Sequence, residues 1–142
     1  PRITPDEAGW WGGQDKGGDN TIGCDGSGNL TVFEVTNYQY GVQECTRKHE
    51  QQHVDDWYSR YGRDICKGRA KGDLPYYDPP GKGKYADFLK ASECRAWRVG
   101  QHCRDQKLRD CCKMPAGDQD ACKNYVRPHV QFANQQVNKY CN

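Results

Sequence analysis

Apolar positions along this chain change their spacing from segment to segment, and each change marks an element. Residues 29–35, "NLTVFEV", alternate and are β-branched, which predicts a short strand bounded by Asn and Gly signals. From about Val42 to Tyr61 a stripe runs through Val42, Cys45, His49, His53 and Trp57. Those three- and four-residue steps describe one helical face, with Gly62 placed to end it. Residues 63–83 are irregular, with "DLPYYDPPGKGK", which ends at Lys84, too rich in Pro and Gly for any regular element. A second long helix is expected from near Lys84 to about Cys112, with Tyr85, Phe88, Leu89, Cys94, Trp97 and Leu108 at its apolar positions. "MPAGD" breaks it. A third helix follows over about 118–140, dented near Pro128, which lacks a backbone donor and clashes one turn back. Residues 1–28, Gly-rich and aromatic, read as an extended, loop-rich cover held by Cys24. The expected fold is α+β and mainly helical. It is a single domain over 1–142, in which the segment 1–28 precedes a core, 29–142, of a small N-terminal sheet and about three helices.

Composition changes this picture in one respect. Hydrophobic residues make up only 35% of the chain, so a core of this size usually needs staples. Nine cysteines are scattered without a repeated CxxC, the pattern of a disulfide framework formed in an oxidising compartment, secreted or periplasmic. The odd count leaves one thiol over, and the pairing is open. Net charge is +2 with no basic block, which gives no reason to expect nucleic acid as a partner. No run reaches the roughly 18 apolar residues of a membrane span. With no initiator Met and no signal sequence, Pro1 reads as the start of a mature or excised piece.

The candidate chemistry lies in "HEQQH", residues 49–53. A helix advances about 100° per residue, so His49 and His53 stand one above the other and can converge on one ion. Zn²⁺ suits two imidazoles, with Zn–N near about 2.0–2.1 Å. Glu50, one step round the helix, can hydrogen-bond a water held by the same metal and take its proton as that water attacks a carbonyl. A polar helix can spell these letters without a metal. Here, however, the apolar stripe puts both histidines on the face to be buried, and burying unpaired polar groups is costly.

"HEQQH" preceded by a strand, with "ASECRAW" on a downstream helix, resembles the zincin metallopeptidases, and more narrowly the small gluzincins, over roughly residues 29–100. The resemblance implies zinc held by His49, His53 and Glu93, with Glu50 as catalytic base. Glu93-Cys94-Arg95-Ala96 follows the gluzincin pattern, but Trp97 stands where that pattern has Asp. Asp56 is an alternative carboxylate to orient a ligating histidine. Asp64, eleven residues past His53, is the competing third ligand and resembles the aspzincin arrangement. The metzincin pattern is absent, since Asp56 and Ser59 occupy its Gly and His positions. Cys45 is read as a disulfide partner, not a ligand. For the oxyanion donor that such chemistry needs, His129, Tyr85, Tyr125 and Tyr140 are candidates, and His102 falls out of phase. A second resemblance, of "RITPDEAGWWGG" to the junction that ends the shell of Rhs/YD-repeat proteins, implies a C-terminal toxin domain with a cognate immunity protein.

The sequence-level expectation is therefore a disulfide-stapled zinc metallopeptidase, secreted or delivered as an effector, acting on a protein or peptide substrate. The alternatives are a non-enzymatic disulfide-rich binding module and a zinc hydrolase with a non-peptide substrate.

Overall fold

A computed structural model describes residues 21–33 and 35–142; the segment similar to the repeat-shell junction lies outside them. The fold is α+β and mainly helical: strands β1 (Ile22–Cys24) and β2 (Leu30–Val32), then helices α1 (Val42–Tyr61), α2 (Tyr85–Cys111) and α3 (Gln119–Cys141). A single 3₁₀ turn, Ala116–Asp118, precedes α3 where "MPAGD" predicted a break. The strands pair antiparallel with Ile22 opposite Val32 and Cys24 opposite Leu30. Between them Asp25 closes the turn, its Oδ1 accepting the N–H groups of Ser27 at 2.7 Å and Asn29 at 3.1 Å.

One element differs from the expectation. Part of the supposed loop-rich segment is a strand, β1, and it limits its partner to three residues of the expected 29–35. Gly23 sits at its centre because the Phe33 ring lies against it, leaving 2.6 Å where a Cβ would go. Helix α3 carries Pro128 inside it, over nearly the expected span.

Helix α1 starts after Gly41 and ends at Gly62, both at positive φ (82° and 91°), a conformation glycine adopts without a steric cost. The irregular segment after it is gathered by Arg60. This guanidinium donates to the carbonyls of Lys82, Tyr77 and Gly83 and to Asp78 Oδ1. Asp78 Oδ1 in turn accepts the first N–H of α2, from Tyr85, at 2.6 Å. A Pro- and Gly-rich stretch thus becomes a fixed bridge between α1 and α2.

Helix α2 is central, packed along both α1 and α3. Two apolar clusters flank it. One, beside the sheet, contains Ile22, Leu30, Val54, Trp57, Ile65, Leu74 and Tyr85. The other, at the far end, contains Val42, Cys111, Cys122, Val126 and Val130. Disulfides Cys24–Cys66 and Cys111–Cys122 belong to these clusters, while Cys45–Cys103 ties α1 to α2 and Cys94–Cys141 ties α2 to α3. Cys112, exposed, is the leftover thiol. Four disulfides point to an oxidising compartment. Among the described residues no helix is long and apolar enough to cross a membrane.

Candidate metal centre

Between the two apolar clusters, the middle of α1 and α2 is polar. His49, Glu50 and His53 from α1 and Glu93 from α2 are all buried, none more than 2% exposed. Both imidazoles aim Nε2 at one carboxylate oxygen: Glu93 Oε1 is 2.8 Å from His53 Nε2 and 3.5 Å from His49 Nε2. The three ligand atoms lie within 4.8 Å of one another, so this group can hold a metal ion. A tetrahedral zinc with bonds near 2.0–2.1 Å would set its ligand atoms about 3.3 Å apart, and the two distances to Glu93 Oε1, 2.8 and 3.5 Å, bracket that spacing. Glu50 extends its Oε1 to 3.8 Å from His49 Nε2, beside the triad and not within it.

The electrostatics suit a cation. Burial pushes His49 down to about 4, and the nearby charges of His53 and Arg104 add to this, against the pull of Glu93. Burial likewise pushes His53 down to about 3. Burial raises Glu93 above the ordinary carboxylate range. Two imidazoles kept neutral offer their lone pairs, and a carboxylate that resists bare ionisation gains most from a neighbouring positive ion.

The two histidines have different surroundings. The Nδ1 of His53 lies 2.8 Å from Ser92 Oγ, and the Ser92 hydroxyl donates to Asp56 Oδ2 at 2.6 Å. His49 is met edge-on by Trp97, with ring centroids 4.4 Å apart. Trp97 thus fills, as a packing wall, the position where the gluzincin pattern has a carboxylate. Behind it lies Arg104, 1% exposed, whose Nη2 donates to Thr46 Oγ1 at 3.3 Å. Gly100 makes room for that guanidinium, since a Cβ there would collide with Arg104 Nη1.

The other candidates fall elsewhere. Asp64 is exposed in the turn after α1 and is not part of the cluster. Cys45 is in a disulfide with Cys103. His102 is exposed, as its phase predicts. His129 stacks with Tyr38 and Tyr125 in the far cluster, and Tyr85 packs against Trp57 and Tyr76. Tyr140, half-buried at the end of α3, is the phenol that the Glu93 charge reaches: burial first, then that carboxylate, push it up to about 12. Sequence reasoning missed Ser92 and Arg104. A signal existed for both: Ser92 adjoins Glu93, and Arg104 follows Glu93 by eleven residues, three helical turns, on the same face.

No family model, no curated protein and no solved structure matches this chain. The site therefore has to be read from its own chemistry.

Proposed function

We propose that the chain is a zinc-dependent peptidase of the HExxH type, with His49, His53 and Glu93 as ligands and Glu50 as general base. One observation carries the reading: two imidazole Nε2 atoms from α1 and one carboxylate oxygen from α2 meet at a common point in the protein interior. Two imidazoles and one carboxylate are a donor set that catalytic zinc uses, and such a site keeps its fourth position for water. Zinc would supply an acidified water and a Lewis acid for a carbonyl. Glu50, one residue from His49 and outside the ligand set, takes the proton of the attacking water and returns it to the departing amine. The histidines stay neutral to ligate, as burial already keeps them.

The disulfides suit secretion or the periplasm, and a delivered effector restrained by an immunity protein fits the junction-like N-terminal sequence. The substrate class is protein or peptide.

A second reading is favoured by the burial itself. A triad and base this deeply enclosed also suit a closed structural metal site in a disulfide-rich binding module. Glu50→Gln separates the two. The variant should keep about one zinc per chain, by elemental analysis. Cleavage of a denatured protein or peptide library should fall by about 10²–10⁴-fold. Turnover above a tenth of the parent's would overturn the base. Bound zinc with no cleavage of any peptide by the parent would favour the structural site.

A further inference from the structure

We propose that Ser92 and Asp56 are positioning residues that together hold His53 in its metal-binding tautomer, a role that rests on the metal reading above. The protons available to these side chains decide the tautomer. Asp56 carries the Arg95 guanidinium, whose Nε lies 3.1 and 3.2 Å from its two oxygens, and also accepts from Gln52 Nε2 at 3.0 Å. On its outer side a surface cavity of about 500 Å³, lined by Asp56, Ser59, Arg60, Lys82, Phe88 and Arg95, admits solvent. Both oxygens of Asp56 are thus met by donors, Arg95 and Gln52, and the carboxylate serves as an acceptor.

Ser92 has one hydroxyl proton, and the 2.6 Å contact commits it to Asp56. The Ser92 oxygen, 2.8 Å from His53 Nδ1, is therefore the acceptor of the Nδ1–H. That fixes the ring proton on Nδ1 and leaves Nε2 with a lone pair. The lone pair points at Glu93 Oε1, 2.8 Å away. Without an ion, a proton on the Glu93 carboxyl, whose loss burial disfavours, can bridge the two atoms, and a metal ion would take that proton's place. The relay thus prepares His53 as a ligand before any ion arrives. Partners that orient a ligating histidine through its second nitrogen also raise its basicity.

The relay follows from adjacency along the two helices. Asp56 lies three residues after His53 on α1, and Ser92 lies immediately before Glu93 on α2. Each helix gives ligands and one support, and the support on α2 holds a ligand on α1. The other imidazole, His49, packs at a steep angle against the Trp97 ring.

Zinc affinity by competition with a chromophoric chelator, and the visible spectrum of cobalt-substituted protein, test the relay without any activity measurement. Ser92→Ala is expected to weaken zinc about 10–100-fold and to shift the cobalt bands. Ser92→Thr, which keeps the hydroxyl, is expected to stay within about threefold of the parent. Asp56→Asn is expected to cost less than Ser92→Ala, and to add nothing once Ser92 is Ala, because the link is then already cut. The proposal is overturned if Ser92→Ala binds zinc as tightly as the parent, or if the Asp56→Asn loss is undiminished in the Ser92→Ala background. Should Ser92→Ala fail to fold, Asp56→Asn decides alone: an unchanged affinity and cobalt spectrum overturn the relay. A parent that binds no metal sinks the metal reading and the relay together. A parent that binds metal, with Ser92→Ala unaffected, sinks the relay only.

Discussion

Helices α1 and α2 run through two kinds of interior. At the sheet end, Trp57, Val54 and Tyr85 close an apolar cluster with Ile22, Leu30 and Leu74. One turn away along α1, the same buried face carries His49, Glu50 and His53 against Glu93, with Arg104 behind. The first region is what burial alone would produce, at about 25 cal/mol for each Å² of apolar surface removed from water. The second works against burial, since enclosed polar groups cost stability wherever their pairing is incomplete. A chain holding only 35% hydrophobic residues gives the middle of its core to a polar cluster, and staples the ends and flanks with disulfides instead.

The staples should show the largest effect. Each disulfide in a small domain is worth about 2–5 kcal/mol, so reducing all four is expected to unfold the protein outright. Near-ultraviolet circular dichroism during titration with a reductant follows this. Alkylation of denatured, unreduced protein should label one thiol, Cys112. A reduced protein that kept its tertiary signal would mean that the apolar ends suffice, and that the contrast between the two regions has been drawn too sharply.

Next comes a pair of truncations, one per region. Trp57→Ala empties the apolar end and is expected to cost about 3–5 kcal/mol in denaturant unfolding, with or without metal. Glu93→Met, in the polar middle, should cost the metal-free protein less than Trp57→Ala does, because the change exchanges a carboxyl that is costly to bury for an apolar side chain and leaves no cavity. The same change should weaken zinc by well over tenfold, while Asp64→Ala on the exposed turn should leave zinc unchanged. If Asp64→Ala weakened zinc and Glu93→Met did not, the site would be of the aspzincin type. If Glu93→Met cost as much as Trp57→Ala in the metal-free protein, the middle would be as much a structural core as the ends.

The two regions also differ in how far the sequence reveals them. The α1 stripe could be followed because imidazoles and apolar residues share its buried face, and Gly62 marks the stop by its backbone freedom. Glu93 was reached through the resemblance to the gluzincin pattern, with Asp64 as its competitor, and the structure brings Glu93, not Asp64, beside the two histidines. Strand β1 could not be followed, because three residues centred on a glycine carry no alternation, and their pairing is decided by β2 and the Cys24–Cys66 link. Ser92 was hidden for another reason. Its role lies in one hydrogen bond received from His53 and one given to Asp56, both across the helix interface, which no pattern along a single helix displays. Helix α3 was legible in spite of Pro128, since its span was expected to run past that residue.

The smallest expected effect falls at Gly100, and its sign is what matters. Alanine is worth about 0.8–1 kcal/mol more than glycine inside a helix, so propensity alone makes Gly100→Ala stabilising. The structure argues the opposite. The new methyl would meet the Arg104 guanidinium, which is 1% exposed and cannot swing into solvent without leaving Thr46 and the Trp97 face. Overpacking of this kind costs about 1–3 kcal/mol, so the balance should be a net loss of up to about 2 kcal/mol. Arg104→Met removes the obstacle. In that background Gly100→Ala should recover the helical gain and turn stabilising. A reversal of sign between the two backgrounds, read from denaturant midpoints, would place the constraint in the Arg104 contact. Stabilisation by Gly100→Ala in the parent would mean that the guanidinium moves freely, and that the polar middle is looser than its burial implies.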